Sequence, residues 1–329
     1  MNQDIYVVVE HLQGQVADIS YVMLAAARRL AQQTSGKVVA VLLGHQAQEL
    51  ANKPAAGSGQ YLAANRVLYL DHPALAEFTS DAYQQALTGL LQDETPRLAL
   101  FGDTSVGAEV AGVLSARLGW PLVSSCKTVT ADGKLVSQIC GGKIMAETAL
   151  PATPALATMV PGGFKPEEGQ AAAPPEVTAI AAPPLEGLRV TLKQYLEPDS
   201  SDVDISREPI LISVGRGIQN EDNIELAQEL AETLGGVVCA SRPVVDQGWL
   251  PTSRMVGKSG KHVKPKLYLA LGISGAPEHV EAITASELIV AINTDPGAPI
   301  FDVAQYGATI DMLDLLEVLT EQVKAAKGG

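Results

Sequence analysis

With 329 residues, 47% of them hydrophobic, the chain is long enough to bury two cores and too apolar to be a disordered segment. Its formal net charge of -14 and isoelectric point near 4.8 repel polyanions at long range, which argues against nucleic acid and against an anionic membrane surface as partners. Cys126, Cys140 and Cys239 carry no C-x-x-C spacing, so neither an iron–sulfur cluster nor a zinc site is encoded, and two of the three sit in apolar runs as expected reduced core thiols.

The chain enters an apolar strand, Ile5 to Val9, directly from Met-Asn-Gln-Asp. With no basic leader and no apolar run long enough for membrane insertion, this points to the cytoplasm or to a mature matrix form. Asp18 is expected to cap a helix from Ile19 to Gln33 that Gly36 ends. A strand over Lys37 to Leu43 follows, then a helix around Gln46 to Asn52, a flexible turn at Ala55 to Gly59, and a strand over Arg66 to Leu70. Pro73 to Gln92 reads as helix, Arg97 to Phe101 as strand and Thr104 to Leu118 as helix. Alternating strand and helix to this point predict a doubly wound, Rossmann-like parallel sheet, because parallel neighbours need crossover connections. The pattern then changes: Val123 to Val129, Leu135 to Cys140, Ile144 to Ala149 and Ala155 to Val160 are strands joined by short turns, an antiparallel extension. Gly102-Asp103-Thr104-Ser105 reads either as an anion nest or, more simply, as a helix cap.

From Pro161 to Pro184 the paired glycines, prolines and alanines predict an extended, semi-rigid connection. One more strand is expected over Leu188 to Leu196, and an acidic joint over Asp199 to Glu208. The sequence thus divides into an α/β domain over 1–187, a linker over 188–206 and a second domain over 207–329.

In the second domain, apolar runs deliver small or glycine-rich segments one after another. They are Gly215-Arg216-Gly217, Ser241-Arg242, Val256-Gly257-Lys258-Ser259-Gly260, Gly272-Ile273-Ser274-Gly275-Ala276 running into Pro277-Glu278-His279, and Asn293-Thr294-Asp295. Glycines let backbone N–H groups approach phosphate, and hydroxyls and cations read the rest of a dinucleotide. The G-x-G-x-x-G fingerprint is incomplete, because Asn220 stands at the third glycine, so Arg216 is expected to take on more of the anion binding. Arg254, Lys258, Lys261, Lys264 and Lys266 form a run without an acidic residue, read either as an anion site or as lysines spread over a solvated turn.

These segments, in this order and continuing through Pro299-Ile300-Phe301 and Tyr306-Gly307, resemble the C-terminal FAD-binding domain of the electron-transfer flavoprotein alpha subunit family. The resemblance implies a parallel-sheet FAD-binding domain, an N-terminal domain serving as scaffold and subunit interface, and a site made of Arg216, Ser241, Arg242, Val256, Gly257, Lys258, Ser259, Ser274, Gly275, Ala276, Pro277, Glu278, His279, Asn293, Asp311 and Met312. In that reading Arg242 favours reduced, anionic flavin by Coulomb attraction, Ser259 lies near flavin N5, and His279 donates an N–H to the N1/C2=O edge. Asn293 and Asp311 face the adenosine side, with a helix cap as the alternative for Asp311. Two departures stand out: Lys258 replaces the family's usual glutamine, and Pro277-Glu278 its usual Ile-Gln. The family also implies a beta-subunit partner, a dehydrogenase of the acyl-CoA or another type as electron donor or acceptor, no direct membrane insertion, and no catalytic residues for substrate chemistry. A stand-alone NAD-linked oxidoreductase or nicotinamide-consuming deacylase of related fold, and a binding module that has lost its cofactor, are the competing readings.

Overall fold

The computed structural model describes residues 2–55, 59–140, 144–195 and 202–327. The chain forms two compact units, Met1–Tyr195 and Leu196–Gly329.

In the first unit, β1 (Ile5–Val8), β2 (His11–Leu12) and β3 (Gln15–Val16) lead into α1 (Asp18–Thr34). There follow β4 (Val38–Gly44), β5 (Tyr61–Leu62), β6 (Arg66–Asp71), α2 (Ser80–Glu94), β7 (Leu98–Gly102), α3 (Gly107–Leu118), β8 (Leu122–Val129), β9 (Leu135–Ile139), β10 (Ile144–Thr148), β11 (Ala155–Met159), β12 (Gln170–Ala171) and β13 (Glu176–Ala181). Nine strands make one sheet in the order β10-β9-β8-β11-β7-β1-β4-β6-β13. Strand β1 shows why both faces are covered. Ile5 and Val7 point into a core shared with α1, while Tyr6 and Val8 point into a second core with α2 and α3, the two-sided burial of a doubly wound sheet.

Several expectations are corrected. Asp18 lies inside the first turn of α1, which Ala17 caps without a side-chain bond. The expected helix at Gln46 is a 3-10 turn over Gln48–Asn52, and that from Pro73 divides into a 3-10 turn, Pro73–Leu75, and α2. The turn expected at 55–59 and the Gly141-Gly142 turn lie largely outside the described residues. Strands β8, β9 and β10 are antiparallel as expected, but β11 returns between β7 and β8, parallel to both. The Pro161–Pro184 stretch is not a free connection. Its Glu176–Ala181 segment pairs in parallel with β6 as the sheet's edge strand, with Pro174-Pro175 and Pro183-Pro184 kept outside the ladder where a missing N–H does no harm. The expected strand from Leu188 is irregular over 188–195, and 196–201 lie outside the described residues.

In the second unit, β14 (Ile210–Val214), α4 (Ile224–Leu234), β15 (Val237–Ala240), α5 (Arg242–Asp246), β16 (Leu267–Leu271), α6 (Pro277–Val280), β17 (Ile289–Ile292), β18 (Tyr306–Ala308) and α7 (Met312–Lys327) follow in turn. The five strands are all parallel, in the order β15-β14-β16-β17-β18. Helices α4 and α7 cover one face over Ile212, Val214, Leu269 and Leu271; Leu211, Cys239, Tyr268, Ala270 and Ala291 pack into the core on the other. The chain turns one way from β14 to β15 and the other way to β16, so the strand order reverses beside β14. That reversal opens a crevice at the carboxyl edge, where such sheets bind ligands.

Candidate functional site

The crevice is a cleft of about 740 Å³, within the usual range for a cofactor site. The exits of β14 and β16 are pressed together at its floor. The Gly215 N–H donates to the Leu271 carbonyl at 2.8 Å and the Gly217 N–H to the Gly272 carbonyl at 3.2 Å. Gly272 has φ +63°, and a Cβ added there would lie 2.7 Å from the Gly217 Cα. Glycine at both places is therefore a packing requirement, which lets backbone line the cleft where side chains would fill it.

Fourteen of the sixteen expected residues line this cleft: Arg216, Ser241, Arg242, Val256, Gly257, Lys258, Ser259, Ser274, Ala276, Glu278, His279, Asn293, Asp311 and Met312. Gly275 does not, because it packs back on the 299–302 turn, where an added Cβ would come within 2.3 Å of the Ile300 nitrogen. Pro277, the first residue of α6, is also outside the lining. The sequence did not single out Gln219, Asp246 and Ile310, which line the cleft as well, beside Thr294 of the Asn293-Thr294-Asp295 segment. Asp246 was legible as an i,i+4 partner of Arg242; the others follow strand exits with no chemical signature.

The Val256–Gly260 segment reaches the cleft as a turn beside β15. The Val256 N–H donates to the Ala240 carbonyl at 2.9 Å and the Lys258 N–H to that of Glu278 at 2.9 Å. Arg242 lies 3.3 Å from Asp246, both largely exposed, so its positive charge is partly offset. The side chains of Arg216, Lys258, Ser241, Ser259 and Ser274 have no hydrogen-bond or ion-pair partner among the described residues. A cleft with two unpaired cations, three unpaired hydroxyls and a glycine floor has the donor set that an anionic, polar, elongated ligand satisfies, and it accepts a dinucleotide on those grounds.

Four expectations change here. Arg254 is taken out of the cationic run by Asp202: its Nε lies 2.6 Å from an Asp202 oxygen, and its Nη1 donates to the Val238 carbonyl at 2.9 Å. The Arg254 bond, with those from the Ser253 hydroxyl and the Val203 N–H, holds the Asp202 carboxyl below its ordinary value. Lys261 lies 3.9 Å from Asp204, so of the five cations only Lys258 faces the cleft. Second, Gly275 and Pro277 stand outside the cleft lining, Pro277 as the first residue of the four-residue α6. Third, Asn293 is already engaged, donating to the Ile273 carbonyl at 2.9 Å and accepting from the Asp295 N–H at 3.0 Å, and Asp311 accepts from the Leu313 N–H at 2.9 Å as the cap of α7.

Fourth, His279 does not offer an N–H to the cleft. Its Nδ1 faces the Val256 carbonyl at 3.1 Å and its Nε2 the Tyr268 hydroxyl at 2.8 Å. The ring is 6% exposed, and burial pulls its pKa down to about 4, against the opposing Val256 hydrogen bond. The imidazole is therefore neutral at pH 7, and its polar atoms are spent inside the wall.

In the first unit the Gly102–Ser105 turn is filled from within. The Thr104 hydroxyl donates to the Glu10 carboxylate at 2.9 Å and accepts from the Val106 and Gly107 N–H groups at 3.2 and 3.0 Å. The segment is a side-chain turn leading into α3, whose cap residue, Val106, makes no side-chain bond, and its polar groups are satisfied internally rather than held open for an anion. Burial raises the Glu10 carboxyl above its ordinary value, with the Thr104 and Gly102 hydrogen bonds opposing. Among the described residues no group of three or more His, Cys, Asp or Glu is placed to hold a metal ion, and no helix is long and apolar enough to cross a membrane.

The fold and cleft define a two-domain α/β protein with a dinucleotide-type site in its second unit. Residues 5–185 match the electron transfer flavoprotein domain, and residues 204–284 the electron transfer flavoprotein FAD-binding domain. The electron transfer flavoprotein subunit alpha of Thermoanaerobacterium thermosaccharolyticum is 34% identical, covering 99% of each chain. That of Bacillus subtilis is 32% identical over 98% of each. The acryloyl-CoA reductase electron transfer subunit beta of Anaerotignum propionicum is 34% identical over 99% of this chain and 96% of its own. The chain belongs to the electron-transfer flavoprotein alpha subunit family, and FAD is its cofactor.

Proposed function

We propose that this chain holds FAD in the cleft at the carboxyl edge of its second sheet and works as one half of a heterodimeric electron carrier in the cytoplasm, its beta-type partner completing the particle. The observation that carries this is the convergence of unpaired Arg216, Lys258, Ser241, Ser259 and Ser274 on one glycine-floored cleft. FAD supplies reversible electron acceptance there. The chain's own residues do the rest. Arg216 and Ser274, at the exits of the abutting strands β14 and β16, take the pyrophosphate, a guanidinium engaging two oxygens at once. Arg242 and Lys258 set a positive field at the flavin end, which Asp246 and Glu278 moderate. Ser241 and Ser259 offer hydroxyls to the ring's heteroatoms, and Asn293, Thr294 and Asp311 line the adenosine side. The N-terminal domain, over 1–187, serves as scaffold and subunit interface; a joint over 188–206 links it to the FAD domain over 207–329. Electrons arrive from a dehydrogenase, or from NADH through the partner, and leave to a downstream acceptor. Asn220, standing at the third glycine of G-x-G-x-x-G, weighs against a stand-alone NAD-linked oxidoreductase.

The test is co-expression with the partner subunit. A yellow heterodimer with one FAD per alpha chain, whose flavin a dehydrogenase reduces, is the expected result. A colourless heterodimer that takes up no FAD on incubation would overturn the proposal.

A further inference from the structure

The core beneath the cleft contains one polar chain. Ser213 on β14 and Tyr268 on β16 lie on neighbouring strands, with the Cys239 thiol of β15 beside both, in a core face shared with Leu211, Ala270, Ile283, Ala291 and Ile300. The Tyr268 hydroxyl is 2.7 Å from Ser213 Oγ and 2.8 Å from His279 Nε2, and His279 Nδ1 is 3.1 Å from the Val256 carbonyl. Ser213 and Tyr268 are fully buried.

The carbonyl at the end of the chain decides its sense. Val256 O can only accept, so Nδ1 must carry the ring's proton. A neutral ring then has a bare lone pair at Nε2, and among the described residues it is the Tyr268 O–H that stands within hydrogen-bond distance of it. With its one hydrogen committed, Tyr268 accepts from Ser213, whose hydroxyl rotates freely to suit. The opposite sense, Tyr268 donating to Ser213, fits the same distances. It would force either an Nδ1 lone pair against the carbonyl oxygen or a charged ring in an apolar core, and both cost more than turning one serine hydroxyl.

We propose that Tyr268 is a positioning residue for the redox site: its hydroxyl, oriented by Ser213, fixes His279 as the neutral Nδ1–H form and thereby fixes the Val256–Gly257 backbone at the cleft wall. Strand β14, strand β16, α6 and the Val256–Gly260 turn, which supply four edges of the cleft, are tied together by these three bonds. Single removal matters because it leaves a buried Nε2 with no donor. The inference rests on the cofactor reading above, since it is FAD that this wall would face.

The experiment uses the heterodimer purified with its flavin and labelled with 15N-histidine, the His279 signals being assigned by their loss in His279→Asn. At pH 7, Nδ1 is expected to resonate as a protonated nitrogen and Nε2 as an unprotonated, hydrogen-bonded one. In Tyr268→Phe the Nε2 resonance moves toward the value of a free lone pair, and the FAD dissociation constant rises about tenfold, the effect of one lost buried hydrogen bond. Ser213→Ala moves both in the same direction by less. A protonated Nε2 in the wild type would overturn the proposal without recourse to any variant, as would an unchanged Nε2 signal in a folded Tyr268→Phe. Failure of the wild-type heterodimer to retain FAD would instead overturn the cofactor reading, because the tautomer is read from the protein alone.

Discussion

His279 makes the stability of the second unit depend on pH in a way that can be worked out in advance. The ring is buried, and its pKa is drawn from 6.5 down to about 4. Between those values the unfolded chain binds a proton that the folded chain refuses, so stability falls as pH falls through this window and is fully present above about 6.5. A displacement from 6.5 to 4 at about 1.36 kcal/mol per pH unit amounts to about 3 kcal/mol. His279→Asn does not titrate and retains a donor for the Val256 carbonyl, but loses the Tyr268 contact at a cost of about 1 kcal/mol. At pH 7 the variant should therefore be the less stable protein, and near pH 4 the more stable by about 2 kcal/mol, the difference of those two figures. Asp202 and Asp204, whose pKa values are lowered by the bonds they accept, lose their contributions below the ordinary carboxylate range, and do so equally in both proteins. Urea unfolding followed through Trp249, in a Trp120→Phe background so that the signal comes from the second unit, measures the difference. Parallel stability curves for the two proteins between pH 4 and 6.5 would refute the reasoning.

Gly272→Ala should destabilise the second unit by about 2 to 3 kcal/mol, because it puts a Cβ at a left-handed φ and within 2.7 Å of the Gly217 backbone; a midpoint unchanged in urea would show that the two strand exits are not in contact. Arg216→Ala should raise the FAD dissociation constant at least about tenfold while leaving the flavin potential near its wild-type value, since a phosphate contact binds without touching the ring; full flavin retention after dialysis would remove Arg216 from the site. Asp246→Asn should raise the flavin midpoint potential by relieving the offset on Arg242, and Lys258→Gln should lower it, each on the order of tens of millivolts in a solvated cleft; spectroelectrochemical potentials that move the other way would place those charges away from the ring.

Much of the site was legible because it follows strand exits. A parallel sheet puts the carboxyl ends of all its strands on one edge, so glycines, hydroxyls and cations placed just after apolar runs must meet there. That is why Arg216, Ser241, Ser274 and Asn293, spread over nearly eighty positions of the chain, line one cleft. What could not be read was which of those side chains already had partners. Arg254 belongs to the same basic run as Lys258, yet Asp202 claims it from the far end of the chain segment, and no local spacing announces that pairing. His279 looked like a donor to the ligand because of its place after a glycine-rich loop. Tyr268, near the start of β16 and eleven residues earlier, occupies its Nε2.

The fold shows the same division. Burial of both faces, written as continuous apolar runs such as Ile5–Val8 and Leu267–Leu271, was enough to specify parallel sheets with helices on each side. The order of small, cationic and hydroxyl-bearing segments is likewise a local property of the chain, and it carried a dinucleotide site and the family resemblance that implies FAD. Long-range packing set the rest: Glu176–Ala181 closes the edge of the first sheet despite its flanking prolines, Ala155–Met159 turns back into the parallel ladder, and the imidazole of His279 is neutral and occupied. These outcomes depend on partners distant in sequence: a strand's neighbour and a side chain's charge state are set by what the rest of the chain brings within hydrogen-bond reach, and period and composition carry no record of that.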